Sequence, residues 1–305
     1  MIYDTIEKNY KEIFMQSKKN IMLLFLAAFI WGTAFVAQSM SLDYIEPLTF
    51  NACRFTVGFL VLVPFVVKNT KKGEPYIDKK TLLVGLSCSA ALFIAAALQQ
   101  IGLQYTSVGK TGFVTGLYII IVPFLNKLIF KQSLSKNIFI GLFLATIGLY
   151  LLSITNTFTI ELNDIILLLS ALFFAVQILI VDHFAYNLDG VKVSCMQFFG
   201  VSILSIIAAV LTEDITVSSI ANAYLPILYT GVLSCGIAYT LQIIGQKDVN
   251  PTLASLILSL ESTIATIAAF FILNQILTMR ELLGCIFVFC SVIIAQLPDK
   301  VKDVK

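Results

Sequence analysis

The chain has 305 residues, of which 58% are hydrophobic and only 12% charged, and its mean hydropathy is +0.93. A soluble domain carries roughly 25% charged residues, so this composition excludes an ordinary water-soluble fold. A net charge of +2, with the basic residues scattered over short loops, excludes a nucleic-acid-binding surface.

From the N-terminus, Lys18 and Lys19 precede an apolar run from Ile21 to about Val36 without a convincing small-residue cleavage site. It reads as a retained first helix and not as a secretory signal. A bilayer core of ~30 Å needs about 20 apolar residues per helix, and backbone polar groups in lipid must be bonded within the structure. The runs here are continuous, not alternating. They predict helices over 20–41, 47–67, 81–103, 107–130, 137–154, 163–183, 194–212, 222–244, 252–273 and 280–297. The expected fold is therefore an all-α membrane protein of ten transmembrane helices. A segment 1–19 precedes a first five-helix repeat over 20–154, and a second repeat over 163–297 is followed by a tail 298–305.

The positive-inside rule orients this arrangement. Seventeen basic residues fall on the side of the two termini, among them Lys68, Lys79, Lys80, Lys127, Lys131, Lys136, Lys192 and Lys247, against Lys110 and Arg280 on the other. Both termini are expected in the cytoplasm and the protein in the cell (inner) membrane.

Shifting the chain by 143 residues lays Leu98, Gln99 and Gly102 on Leu241, Gln242 and Gly245, and Gln132, Leu134 and Gly141 on Gln275, Leu277 and Gly284. The same shift puts Ala28 on Ala171 and Phe55 on Phe198. Each half holds an odd number of spans, so the second must enter the membrane from the opposite side. Inverted repeats around a midplane site are a recurrent transporter plan.

Particular stretches then carry a family resemblance. The first span reads Phe29-Ile30-Trp31-Gly32-Thr33-Ala34-Phe35-Val36, and the second opens Pro47-Leu48-Thr49-Phe50-Asn51-Ala52-Cys53-Arg54-Phe55. The fourth runs Gly109-Lys110-Thr111-Gly112-Phe113-Val114-Thr115-Gly116-Leu117-Tyr118, and the fifth ends Ile147-Gly148-Leu149-Tyr150-Leu151-Leu152. Together these resemble the EamA-type transporters of the drug/metabolite transporter superfamily over nearly the whole chain. The resemblance implies transport, often export, of metabolites such as amino acids and of drug-like compounds. The ninth span departs from the family pattern, with Leu260-Glu261-Ser262 where a Leu-Glu-Pro triplet is common. Asn274-Gln275 replaces a Gly-Glu pair, and Gln132 holds the equivalent place in the first half.

Ionisable groups inside a membrane cost about 2.5–3.5 kcal/mol on insertion scales and need partners or water. Glu261 lies near the middle of the ninth span, beside Ser255, Ser259, Ser262 and Thr266 at helical spacing. Arg54 lies about 10 Å down the second span, at ~1.5 Å per residue. Glu261 is a candidate for proton coupling or cation binding and Arg54 for anchoring a substrate carboxylate; both could equally be structural. In the repeat Glu261 overlays Tyr118, which places the two facing each other across a pseudo-twofold axis, where an aromatic ring can also attract an ammonium group. Trp31, mid-span with Phe35 and Gln38 on its face, either lines a cavity or fills the bundle. Asn51, Gln99, Gln177, Gln197, Tyr239 and Gln242 line the site or join helices by hydrogen bonds. Gly112 and Gly116 predict close helix packing, with a gate or an unwound turn as the alternative. Asp182 and His183 read as an interfacial pair.

The expected function is a secondary-active or facilitative transporter that exports small organic metabolites, amino-acid-like or drug-like, by alternating access around a midplane cavity, with protons as the candidate coupling ion. Uptake or exchange by the same fold is the alternative within transport, and a membrane sensor or scaffold the one outside it. No metalloprotease, serine or aspartyl intramembrane motif and no Walker loop occurs in the chain, so an enzyme is not expected. The one histidine, His183, and six cysteines within apolar runs give no metal site or disulfide framework, and no cofactor is expected.

Overall fold

The structure, a computed structural model, describes residues 2–71, 73–132, 134–153, 162–274 and 276–297, with side chains from residue 18 onward, those of 153 and 162 excepted. The tail 298–305 and Gln275 lie outside these. The described residues are helical, without strands. Among the described residues, eight helices are long and apolar enough to cross a membrane, from Lys18–Ser41 to Pro251–Ile272. Helix α1 spans Ile2–Ser41, α2 Pro47–Asn69 and α3 Lys79–Leu103. The fourth segment is α4 (Val108–Gly116) and α5 (Tyr118–Phe130), followed by α6 (Lys136–Ser153). The second half begins with α7 (Leu162–Phe184) and α8 (Gly190–Thr212). A short α9 (Val217–Asn222) precedes α10 (Tyr224–Tyr229), a π-helical stretch Thr230–Tyr239 and α11 (Thr240–Gly245). The last elements are α12 (Pro251–Leu258), α13 (Leu260–Ile272) and α14 (Met279–Ala295). The predicted boundaries stand within a few residues, except that α1 starts well before residue 20.

The helix starts repeat with the sequence. Ser107 caps α4 and Asn250, 143 residues on, caps α12, each accepting from a backbone N–H of its first turn. Ser135 and Thr278 are related by the same interval; Ser135 accepts from Ile138 N, and Thr278 forms a capping box with Glu281.

Packing follows the repeat too. Helix α2 lies along α8, and α6 along α14. A side-chain atom added at Gly141 would meet Ser291 O at 2.9 Å, and one at Gly148 would meet Gly284 O at 2.8 Å. Ser291 is the counterpart of Gly148 and Gly284 that of Gly141. Between α2 and α8, Thr56 Oγ1 bonds Ser202 Oγ at 2.5 Å and the Phe59 and Phe199 rings lie 5.4 Å apart. Here again each residue touches the counterpart of the other's partner. Reciprocal contacts of this kind define a twofold relation, and their register runs antiparallel, so the halves are inverted. Phe55 and Phe198, counterparts of one another, stack at 5.9 Å on the axis itself.

Two irregularities interrupt the helices. The fourth and ninth segments break at Leu117 and Ser259, which lie within one residue of equivalence in the repeat. The π-helical stretch has no counterpart, because the matching part of α3 is regular. Its Gly231 and Cys235 press against Val57 and Gly58 of α2.

Candidate functional site

A cavity lies where the axis crosses the bundle, and its walls come from both halves as counterparts. Trp31 faces it with Phe174, Phe35 with Ile178, Gln99 with Gln242, and Tyr118 with Glu261. Every one of these pairs is 143 residues apart. The void is about 30 Å³, room for roughly two water molecules at ~10–15 Å³ each.

Glu261 enters from the first turn of α13, directly after the break at Ser259, and is 6% exposed. Tyr118, the first residue of α5 after the break at Leu117, donates from its phenol to Glu261 Oε1 at 3.1 Å. The breaks thus present both side chains where the helix turns. The stripe of hydroxyls beside Glu261 points elsewhere. Ser255 and Ser259 donate to carbonyls of their own helix, Thr266 to Ser262 O, and Ser262 to Gly112 O across the α4–α13 contact at 2.6 Å. Of the two glycines it is Gly116 that serves a close approach, whereas an added atom at Gly112 would meet Ser262 Cα at 3.4 Å, an ordinary contact. A side-chain atom at Gly116 would come within 3.0 Å of Ser262 Oγ.

Arg54 lines the same cavity and is 4% exposed. Its Nε donates to Asn51 Oδ1 at 2.8 Å and its Nη1 to Gln38 Oε1 at 2.9 Å. Its guanidinium carbon lies 4.7 Å from the Phe55 ring centroid. Among the described residues Arg54 makes no ion pair and neither does Glu261, although both face the same space. Two amides and two aromatic faces orient this cation without neutralising it.

Of the eleven residues singled out from the sequence, nine line the cavity: Trp31, Gln38, Arg54, Gln99, Tyr118, Gln177, Tyr239, Gln242 and Glu261. Asn51 and Gln197 stand behind the wall. Asn51 holds Arg54 and donates to Ala96 O at 3.0 Å, and Gln197 Oε1 accepts from Gln177 Nε2 at 3.1 Å. Gln177 Oε1 in turn accepts from Gln242 Nε2 at 3.0 Å. Trp31 tilts against Tyr239 at 4.5 Å between centroids and donates to Ser234 O at 3.4 Å. Ser234 belongs to the π-helical stretch, which no pattern in the sequence marks. Phe174 and Ile178 could have been found by the repeat, as the counterparts of Trp31 and Phe35.

The Asp182–His183 pair lies apart from the cavity, with Nδ1 3.1 Å from Oδ2, and the imidazole stacks on Phe130. No group of side chains able to hold a metal ion occurs among the described residues.

Comparison with known proteins converges on one family. The EamA-like transporter family matches residues 18–154 and again residues 162–296. A protein of Archaeoglobus fulgidus named an uncharacterized transporter is 31% identical over 274 residues, which cover 90% of this chain and 84% of its own. A Clostridium kluyveri protein of the same description is 22% identical, covering 93% and 94%. The uncharacterized transporter YyaM of Bacillus subtilis is 21% identical, covering 90% and 92%. One solved crystal structure superposes with a TM-score of 0.76 over 92% of this chain and 96% of its own, at 17% identity.

Proposed function

This chain belongs to the EamA-like transporter family, a family of multi-pass membrane transporters, and we propose that it exports a small amino-acid-like or drug-like solute through the cavity between Arg54 and Glu261. The observation that carries this reading is the buried Arg54 cation, oriented by Gln38 and Asn51 and left without an anionic partner among the described residues. A cation in that position is costly, and a carboxylate on the solute would complete it. In the same cavity Glu261 has one oxygen bonded by Tyr118. Its other oxygen can meet an ammonium group, or the carboxylate can take up a proton that couples the flux. Trp31, Tyr239 and Phe174 offer aromatic faces between these two ends.

A void of about 30 Å³ is too small for such a solute, so passage requires the halves to rock about the axis and open the cavity to one side at a time. Ten crossings fit this reading. Helices α6 and α14 have 18 and 17 residues and reach about 27 and 25 Å at ~1.5 Å per residue. They lie along one another and would cross a ~30 Å core together. With ten crossings and the lysine bias, both termini are cytoplasmic and the protein sits in the cell membrane.

The test is a comparison of metabolites released by cells expressing the protein, its Arg54→Gln variant at equal membrane abundance, or neither. The reading expects one class of carboxylate-bearing solutes outside only with the unaltered protein. Identical profiles in all three would refute export.

A further inference from the structure

The turn between α5 and α6 carries a recess of about 610 Å³ that plays no part in the cavity chemistry. Lys127, in the last turn of α5, and Lys136, the first residue of α6, stand at its edge, and Leu134, Phe139 and Ile140 form its apolar wall. Both lysines are exposed and make no ion pair among the described residues. Below them, toward the membrane middle, the exposed side chains are apolar. Leu128 (67%) and Phe124 (66%) on α5 lie four residues apart, as do Phe139 (65%) and Phe143 (63%) on α6. Residues at that spacing share a helix face, so two apolar tracks descend from the cationic edge into the depth of the hydrocarbon.

The other half supplies a comparison. The shift of 143 places Lys127 on Phe270, Lys131 on Asn274, Ser135 on Thr278 and Lys136 on Met279. Lys131 and Asn274 both have left-handed backbone, with φ of 56° and 53°. Ser135 and Thr278 both cap the next helix. The same turn is built twice, and the other copy has Phe270, Asn274 and Met279 in place of the three lysines, its one cation, Arg280, standing at the position of Asn137, so the lysines are not needed to form it.

Positive charge at the membrane surface above an apolar trough complements an anionic headgroup above its acyl chain, the arrangement by which basic pockets between membrane helices hold such lipids. We propose that this recess holds one anionic phospholipid, its phosphate between Lys127 Nζ and Lys136 Nζ and an acyl chain along Phe139 and Phe143. Lysines on this face also serve orientation. That role needs charge anywhere on the face, whereas a lipid site needs it at this recess.

The test is native mass spectrometry of the delipidated full-length protein titrated with phosphatidylglycerol or phosphatidylcholine. The variants are Lys127→Gln/Lys136→Gln and, as a control of equal charge change on the same face, Lys79→Gln/Lys80→Gln. The proposal expects phosphatidylglycerol to bind the unaltered protein and the control alike, and about tenfold more weakly to Lys127→Gln/Lys136→Gln. Phosphatidylcholine should not distinguish the three, and inorganic phosphate should not compete. Unchanged phosphatidylglycerol binding in Lys127→Gln/Lys136→Gln, or an equal loss in the control, would overturn the site. Displacement of the lipid by inorganic phosphate would overturn the lipid assignment in favour of a free-anion site.

Discussion

Tyr118 donates its phenol hydrogen bond to Glu261 across 143 residues, the length of the internal repeat. Two counterparts can touch only on the axis that relates the halves, so this bond marks the axis at the cavity as Phe55 and Phe198 mark it between α2 and α8.

Tyr118→Phe keeps the ring and removes this bond. We expect a stability loss of about 1 kcal/mol, the usual net worth of one hydrogen bond, with the fold intact. Glu261 would then lose its one side-chain donor among the described residues, and solute flux should fall. Thermal unfolding in detergent alongside flux in reconstituted vesicles checks both parts. A large drop in stability with normal flux per folded molecule would make the pair structural.

The reciprocal glycine contact between α6 and α14 predicts a contrast. A side-chain atom at Gly284 would lie 2.7 Å from Gly148 O, which is backbone and cannot move aside, whereas one at Gly112 would lie 3.4 Å from Ser262 Cα. Gly284→Ala should cost roughly 1–3 kcal/mol, as overpacking does, and Gly112→Ala should be nearly neutral. Unfolding curves of the two variants measure the difference directly.

Glu213, at the end of α8, closes the start of α2. Its carboxylate accepts from Leu48 N, Thr49 N and Thr49 Oγ1, all at 2.7 Å. An amide in its place can accept at only one atom, so Glu213→Gln should lose about 2 kcal/mol of this charge-assisted capping. Faster proteolysis within residues 42–46 would report the loosened start of α2, and an unchanged rate would speak against the capping role.

Much of this architecture is legible in the sequence because the membrane imposes it. Run length sets helix length, and the lysine distribution and the interval of 143 imply inverted halves. The polar residues within spans were legible as a group for the same reason, since hydrocarbon leaves few of them in place without a use. Their separate uses were not. The hydroxyls of Ser255 and Ser259 look like a binding stripe in one dimension, yet each is satisfied by its own helix. Asn51 and Gln197 stand one layer behind the cavity, a distinction that helix rotation decides and spacing does not. The break at Leu117 directly follows Gly116, where an unwound turn is the lesser reading of the glycine pair, whereas the break at Ser259 has no proline or glycine beside it. The π-helical stretch depends on how Gly231 and Cys235 fit against α2, a contact between residues far apart in the chain.

The central claim is that Arg54 and Glu261 face one solute in the same cavity. Once a released solute is identified, its flux should be measured in vesicles holding equal amounts of folded unaltered protein, Arg54→Gln or Glu261→Gln, with the solute's own amide analogue run beside it. The account predicts at least about a tenfold loss in each variant, the scale of a lost charge-assisted contact, and discrimination against the amide analogue that disappears in Arg54→Gln. Flux at the unaltered rate in both variants, with the amide carried as well as the acid, would contradict it.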